Sequence, residues 1–130
     1  MQIRLDIDPK DISTAQQRRW TRTGRTYMPA TVKRTHARYM EALAEYVPDE
    51  PMTGPLRVTC VIIYQSRRRC ESGCYRAVRP DLDNIWKGLA DCITRSHIWE
   101  DDSQVADLRI VKRYSKEGEE PHIDITIEQS

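Results

Sequence analysis

The 130-residue chain contains no phenylalanine, and its aromatic residues are three tryptophans and six tyrosines. It also lacks a long hydrophobic run, because the longest one, residues 60–64, is far too short to cross a bilayer. The first residues do not show the basic segment and apolar stretch that are typical of a secretory signal. We therefore expect a soluble, cytoplasmic protein with no membrane partner, in which the four cysteines are reduced thiols.

The chain has no internal repeat, no low-complexity tract and no linker, so residues 1–130 are expected to form a single domain. Its net charge is only +1, but residues 1–80 carry fifteen Lys and Arg against eight Asp and Glu, whereas residues 81–130 carry six against twelve. This asymmetry suits a protein that attracts a polyanion and handles it with a metal ion. Taken alone, the charge pattern fits two differently charged solvated faces at least as well.

The hydrophobic pattern predicts four strands and two helices in the order β-α-β-α-β-β. Strands are expected at 2–8, 56–64, 104–114 and 122–128, and helices at about 29–47 and 83–93. Residues 10–29 and 65–79 are expected to be long basic loops, the first of them with room for a short helix. The fold class is therefore α+β, with a mixed sheet of about four strands and both helices on one face. Strand 56–64 is apolar on both sides and should be central, and the last two strands should form a hairpin.

The acidic stretch that begins at residue 79 carries the functional signal. Pro80 disfavours helix before it, and Asp83 is a good N-cap for the helix that follows. Asp81 and Asp83 are thus expected in extended backbone, where both carboxylates face one cation, and Mg²⁺ prefers such oxygen ligands. Lys87 lies one helical turn beyond Asp83 and could contact a scissile phosphate, or pair with Asp91.

A third carboxylate should come from the run Glu100-Asp101-Asp102, which is expected to begin a strand. Neighbouring strand residues face opposite ways, so only one of Asp101 and Asp102 can point into the site, and spacing does not choose between them. Simpler interpretations remain open: a capping pair at the helix start, helical ion pairs around Lys87 and a solvated turn. An EF-hand is disfavoured because the later acidic, glycine and glutamate positions of its loop are missing.

Together these elements resemble the signature of the RusA family of Holliday junction resolvases. They are Arg-Pro-Asp-Leu-Asp-Asn at 79–84, Lys87, Asp91, and Ile-Trp-Glu-Asp-Asp-Ser-Gln-Val at 98–105. The resemblance implies a homodimeric, Mg²⁺-dependent endodeoxyribonuclease that nicks two opposing strands of a four-way DNA junction, encoded by a phage or prophage and acting in a bacterial or phage-infected cell. It also implies that the essential carboxylates are Asp81, Asp83 and Asp102 and that the essential lysine is Lys87.

The basic loops would then contact DNA phosphates, giving salt-dependent binding. The residues assigned to this role are Arg18, Arg19, Arg22, Arg25, Arg67, Arg68, Arg69, Arg76 and Arg79. The aromatic residues Trp20, Tyr27 and Tyr75 could stack on unpaired bases at the crossover, although packing is the more common role of such side chains.

Three alternatives are retained: a less selective branched-DNA nuclease, a DNA-binding module that does not cut, and a structural domain that binds a divalent ion. A zinc site built on Cys70 and Cys74 is disfavoured because their spacing is not C-x₂-C and the other cysteines occupy apolar positions.

Overall fold

The protein is built on a mixed four-stranded sheet with the strand order β1-β6-β4-β5. The computed structural model describes residues 1–14 and 19–129, and the side chains of all of these except residues 19 and 20. The sheet strands are β1 (Gln2–Leu5), β4 (Leu56–Tyr64), β5 (Val105–Tyr114) and β6 (His122–Gln129), and a separate ribbon pairs β2 (Arg19–Trp20) with β3 (Thr26–Tyr27). The helices are α1 (Ala30–Leu43) and α2 (Leu82–Arg95). The α+β class expected from the sequence is confirmed.

The expected hairpin between the last two strands is wrong. β5 pairs in parallel with β4, whereas β6 lies between β4 and β1 and pairs antiparallel with both. The reason is the crossover: α2 carries the chain from the end of β4 back to the start of β5, and such a return makes neighbouring strands parallel. β5 is last in the strand order and is therefore an edge strand, and its residues 106–109 are exposed. β4 is central, as expected from its two apolar faces.

Both helices cover the core side of the sheet. They pack against each other, α1 contacts β1, and α2 contacts β5. As expected, α2 buries Ile85, Leu89, Cys92 and Ile93. α1 ends four residues earlier than the expected 47, because residues 44–46 form a turn of 3-10 helix. No helix of the described part of the chain is long and apolar enough to cross a membrane.

Three strands end at the same edge of the sheet. β4 and β5 are parallel, and β1 runs in the same direction because it is antiparallel to β6, which is antiparallel to β4. Tyr64 and Tyr114, the last residues of β4 and β5, are register partners at this edge. The loop expected at 10–29 is less irregular than predicted, since a 3-10 turn, Pro9–Asp11, precedes the β2–β3 ribbon. The carboxyl ends of parallel strands are where open sheets usually bind ligands.

Candidate active site

Two exposed carboxylates stand at the start of α2. Asp81 is the N-cap, with extended backbone at φ −71° and ψ 146°, and its side chain makes no capping hydrogen bond. Asp83 lies in the first helical turn, so its expected role as N-cap is wrong by two residues. Pro80 precedes the N-cap, and its fixed φ and missing N–H keep the helix from extending back beyond Asp81. Both carboxylates are exposed and can therefore bind a cation from solvent.

Lys87 is exposed one turn beyond Asp83. In the described part of the chain, none of Asp81, Asp83 and Lys87 takes part in a salt bridge. Asp91, the alternative partner for Lys87, pairs instead with Arg95 at 3.9 Å. The ion-pair interpretation of this helix face is therefore not supported for Lys87, which forms no salt bridge with any described residue.

Lys112 on β5 holds the segment that leads into Asp81. Its Nζ donates hydrogen bonds to the carbonyl oxygens of Val78 and Pro80, each at 2.7 Å. Arg76 binds the same segment, since its Nη1 donates hydrogen bonds to the carbonyl oxygens of Val78 at 3.3 Å and Arg79 at 2.6 Å. The backbone N–H of Arg76 in turn donates to the carbonyl of Lys112 at 3.0 Å. The clamp formed by Lys112 and Arg76 has little local signal in the sequence: Lys112 lies on a strand that is otherwise rich in hydrophobic residues after position 109.

The segment that bears the third carboxylate is a 3-10 helix, Asp102–Gln104, and not the expected start of a strand. Asp101 caps it: its carboxylate accepts hydrogen bonds from the hydroxyl and the backbone N–H of Ser103, which together lower the pKa of Asp101. Gln104 completes the capping box by accepting from the N–H groups of Glu100 and Asp101, both at 2.9 Å. Asp101 is thereby engaged in its own turn, whereas Asp102 is exposed and forms no salt bridge with any described residue.

The chain places the third carboxylate on a different element from the first two. α2 contacts the 102–104 helix, and the rings of Trp86 and Trp99 link the two segments with centroids 6.4 Å apart. Gln104 anchors the second segment by donating to the carbonyls of Met52 and Gly54, each at 3.0 Å. Within residues 1–14 and 19–129, however, no three or more His, Cys, Asp or Glu side chains gather into a group that could hold a metal ion. The structure therefore places Asp81 at the N-cap of α2 and Asp83 and Lys87 in its first two turns, but it does not close a three-carboxylate site.

The basic residues expected to contact DNA fall into three groups. Arg18 lies outside the described residues, as does the side chain of Arg19. The exposed group consists of Arg22, Arg25, Arg67, Arg68, Arg69 and Arg79. Arg76 differs from the expectation of a free contact residue, because it is half-buried, stacks 3.9 Å from the ring centroid of Tyr64 and holds the 78–79 carbonyls.

Among the aromatics, Tyr75 is 74% exposed and Tyr27 is 44% exposed, and the side chain of Trp20 lies outside the described part. Exposed tyrosines of this kind are available for stacking.

The cysteines divide into an exposed pair and a buried pair. Cys74 donates from Sγ to the carbonyl of Cys70, and Cys60 and Cys92 lie in the core.

The chain is similar in sequence to known nucleases. A family model described as Endodeoxyribonuclease RusA matches residues 9–128. An uncharacterised protein, YqaN, of Bacillus subtilis strain 168 is 28% identical over 98% of this chain and 96% of its own length. The crossover junction endodeoxyribonuclease of Lactococcus phage r1t is 32% identical over 55% of this chain and 54% of its own. The RusA crossover junction endodeoxyribonuclease of Escherichia coli K12 is 42% identical over 37% of this chain and 40% of its own.

Proposed function

Because this chain belongs to the RusA family of endodeoxyribonucleases, it is a nuclease, and we propose that it resolves four-way DNA junctions by paired symmetric nicks. The observation that carries the proposal is the group formed by Asp81, Asp83 and Lys87 at the start of α2, exposed and free of salt bridges with other described residues. In this proposal the substrate is branched DNA and the protein acts in the cytoplasm of a bacterial or phage-infected cell.

The start of α2 fits a magnesium ion. Mg²⁺ is commonly bound by one or two carboxylates together with substrate phosphates and water, and Asp81 and Asp83 supply such a pair. Asp102 is proposed as the third ligand, supported by its exposure and by the engagement of its neighbour Asp101 in a cap. Bound there, Mg²⁺ would lower the pKa of a coordinated water and polarise the scissile phosphodiester.

The protein's own groups perform the remaining work. The ammonium of Lys87, one turn from Asp83, would stabilise the negative charge that develops on the phosphoryl oxygens. The clamp formed by Lys112 and Arg76 keeps the backbone before Asp81 in one conformation, so that its carboxylate does not need to be ordered when substrate arrives. The exposed arginines would neutralise DNA phosphates.

A homodimer suits this substrate. Two related strands of a four-way junction need two equivalent cuts, and a pair of chains related by a twofold axis presents two equivalent sites. The dimer belongs to the proposal and is testable by sedimentation of the protein alone and with junction DNA.

A junction-cleavage assay tests the function. Wild-type protein with Mg²⁺ should nick opposing strands of a synthetic four-way junction, and the cuts should be symmetric. Asp83→Asn should bind the junction but fail to cut it, whereas Asp49→Asn, a matched change at an exposed loop position, should behave as wild type. Equal cutting of junction, fork and linear duplex would indicate the less selective nuclease instead.

One observation favours a second candidate, a DNA-binding module that does not cut. The described residues do not assemble three metal-binding side chains, and a module that only binds DNA has no need of them. Junction binding without cleavage, over a wide range of Mg²⁺ and Mn²⁺ concentrations, would indicate that this member of the nuclease family has lost the cleavage step and would reject the proposed junction resolution.

A further inference from the structure

A cavity of about 390 Å³ lies at the edge where β1, β4 and β5 end. Its walls include Tyr64 and Tyr114, the last residues of the parallel strands, and Asp8, which follows β1. Val78, from the segment that leads to Asp81, closes one side. The cavity is thus separate from the exposed start of α2 but adjoins the chain that carries it.

The cavity is lined by an excess of positive charge. Four of the lining side chains are cationic and two are anionic: Lys10, Arg67, Arg68 and Arg76 against Asp8 and Glu71. Both acids have partners within the protein. Asp8 accepts from the N–H of Lys10 at 3.1 Å and pairs with its ammonium at 3.8 Å, and Glu71 accepts from the N–H of Arg67 at 3.0 Å. The lining therefore carries a net charge of +2, which favours an anionic occupant.

The wall of the cavity contains a buried polar group without a partner. Tyr64 is 5% exposed, and no described residue offers its hydroxyl a hydrogen bond. Burial raises the pKa of Tyr64, so that the hydroxyl stays protonated and can donate. Arg76 stacks on the ring of the same residue, 3.9 Å from its centroid. An unpaired buried hydroxyl is costly, and an anionic oxygen bound in the cavity would become its acceptor once the side chains that cover the hydroxyl move aside.

The place of the cavity identifies the anion. Val78 precedes Asp81 by three residues, a length of chain that spans at most about 10 Å. Successive phosphates of a DNA strand advance by about 3.4 Å along the helix axis, so a strand held at Asp81 brings neighbouring phosphates within reach of the cavity. We propose that this cavity binds a phosphodiester group of the strand being cut, through Lys10, Arg68 and the hydroxyl of Tyr64. The proposal rests on the DNA substrate proposed above and assigns it a second contact point.

Charge removal tests the site. The double variant Lys10→Gln/Arg68→Gln should bind a four-way junction in EDTA about tenfold more weakly, with a salt slope shallower by about one. The control Arg38→Gln/Arg57→Gln removes the same charge from exposed positions that do not line the cavity, and should remain within about threefold of wild type. Asp8→Asn keeps the capping oxygen but removes a negative charge, and should tighten binding. Equal loss in the double variant and its control overturns the proposal.

A second measurement does not depend on DNA. Inorganic phosphate, compared with chloride at equal ionic strength, should raise the melting temperature of wild type but not of Lys10→Gln/Arg68→Gln. Tyr64→Phe should melt no lower than wild type without phosphate, because it removes an unpaired group, and should lose part of the phosphate response. A phosphate response that persists in the double variant overturns the inference. If wild type shows the phosphate response but neither binds nor cuts junctions, the anion site stands and the proposed function fails.

Discussion

Replacing Lys112 by methionine tests whether the clamp on the 78–80 segment positions the metal-binding carboxylate. Methionine keeps the length and the apolar stem but removes both hydrogen bonds to the carbonyls of Val78 and Pro80. Hydrogen bonds from a charged donor contribute about 1.5–3 kcal/mol each, and these carbonyls lie near the surface, where water can replace the ammonium. Because water replaces part of each bond, we expect a combined loss of about 2 kcal/mol, below the roughly 3 kcal/mol that two such bonds contribute at the lower end of that range.

The two effects of this change separate in different assays. A loss of 2 kcal/mol lowers the melting temperature of a domain of this size by about 6–10 °C, measurable by circular dichroism. Groups that orient a metal ligand typically alter metal affinity by about 10–100-fold. The Mg²⁺ concentration that half-saturates junction cleavage should rise by about tenfold or more in Lys112→Met, with activity recovered at high Mg²⁺.

Two comparisons decide the matter. Lys112→Arg, which retains donors for both carbonyls, should restore much of the Mg²⁺ response. Lys33→Met, an equal charge loss on an exposed face of α1, should change neither quantity. A Lys112→Met protein that melts lower but keeps the wild-type Mg²⁺ dependence would show that the clamp is only structural and would refute the positioning role.

Three further predictions concern the rest of the chain. The paired Arg113 guanidinium holds the pKa of Glu119 at about 2, so Glu119→Gln should lower the free energy of unfolding by about 1–2 kcal/mol at neutral pH. Because the folded pKa is depressed, the stability difference between wild type and variant should be complete above about pH 4.5 and vanish as the pH falls towards 2. Melting temperatures measured across this pH range check the prediction. Gln104→Ala should remove the capping box and the anchor of the third-carboxylate segment, lowering stability by about 1 kcal/mol in urea unfolding and reducing cleavage more than binding. Burial raises the pKa of Cys60 and Cys92 to about 12, so a thiol reagent at pH 8 should label the two exposed cysteines quickly and these two only on unfolding.

Local pattern predicted the elements well but not their arrangement. The alternation of isoleucines at 123, 125 and 127 identified β6 as a strand, and the same three residues are in the core. The pattern could not predict which strands pair with β6. A short connection after β5 suggested a hairpin, yet β6 is inserted between β1 and β4. The charged residues Asp107 and Arg109 were the available signal, since charged side chains are common on the edge strands of sheets.

The candidate site shows the same division. Residue identities at the start of α2 followed from the motif, but the helix begins after Asp81 and not after Asp83. The spacing of the acidic residues also did not show which of Asp101 and Asp102 caps the 102–104 helix. In the folded turn it is the Asp101 carboxylate that accepts hydrogen bonds from the N–H and hydroxyl of Ser103.

The contacts of Lys112 and Arg76 with the 78–80 segment depend on the tertiary fold, and the sequence pattern did not predict them. Lys112 is distant in sequence from the segment that it holds, and Arg76 was grouped with the free arginines although its guanidinium faces inward. Both converge on the carbonyl of Val78, whose side chain lines the basic cavity. A phosphate bound in that cavity would compete for the guanidinium that grips this carbonyl, because Arg76 borders both. Contact at the cavity and the placement of Asp81 are therefore coupled through one side chain, and changes at either should alter both DNA affinity and Mg²⁺ response.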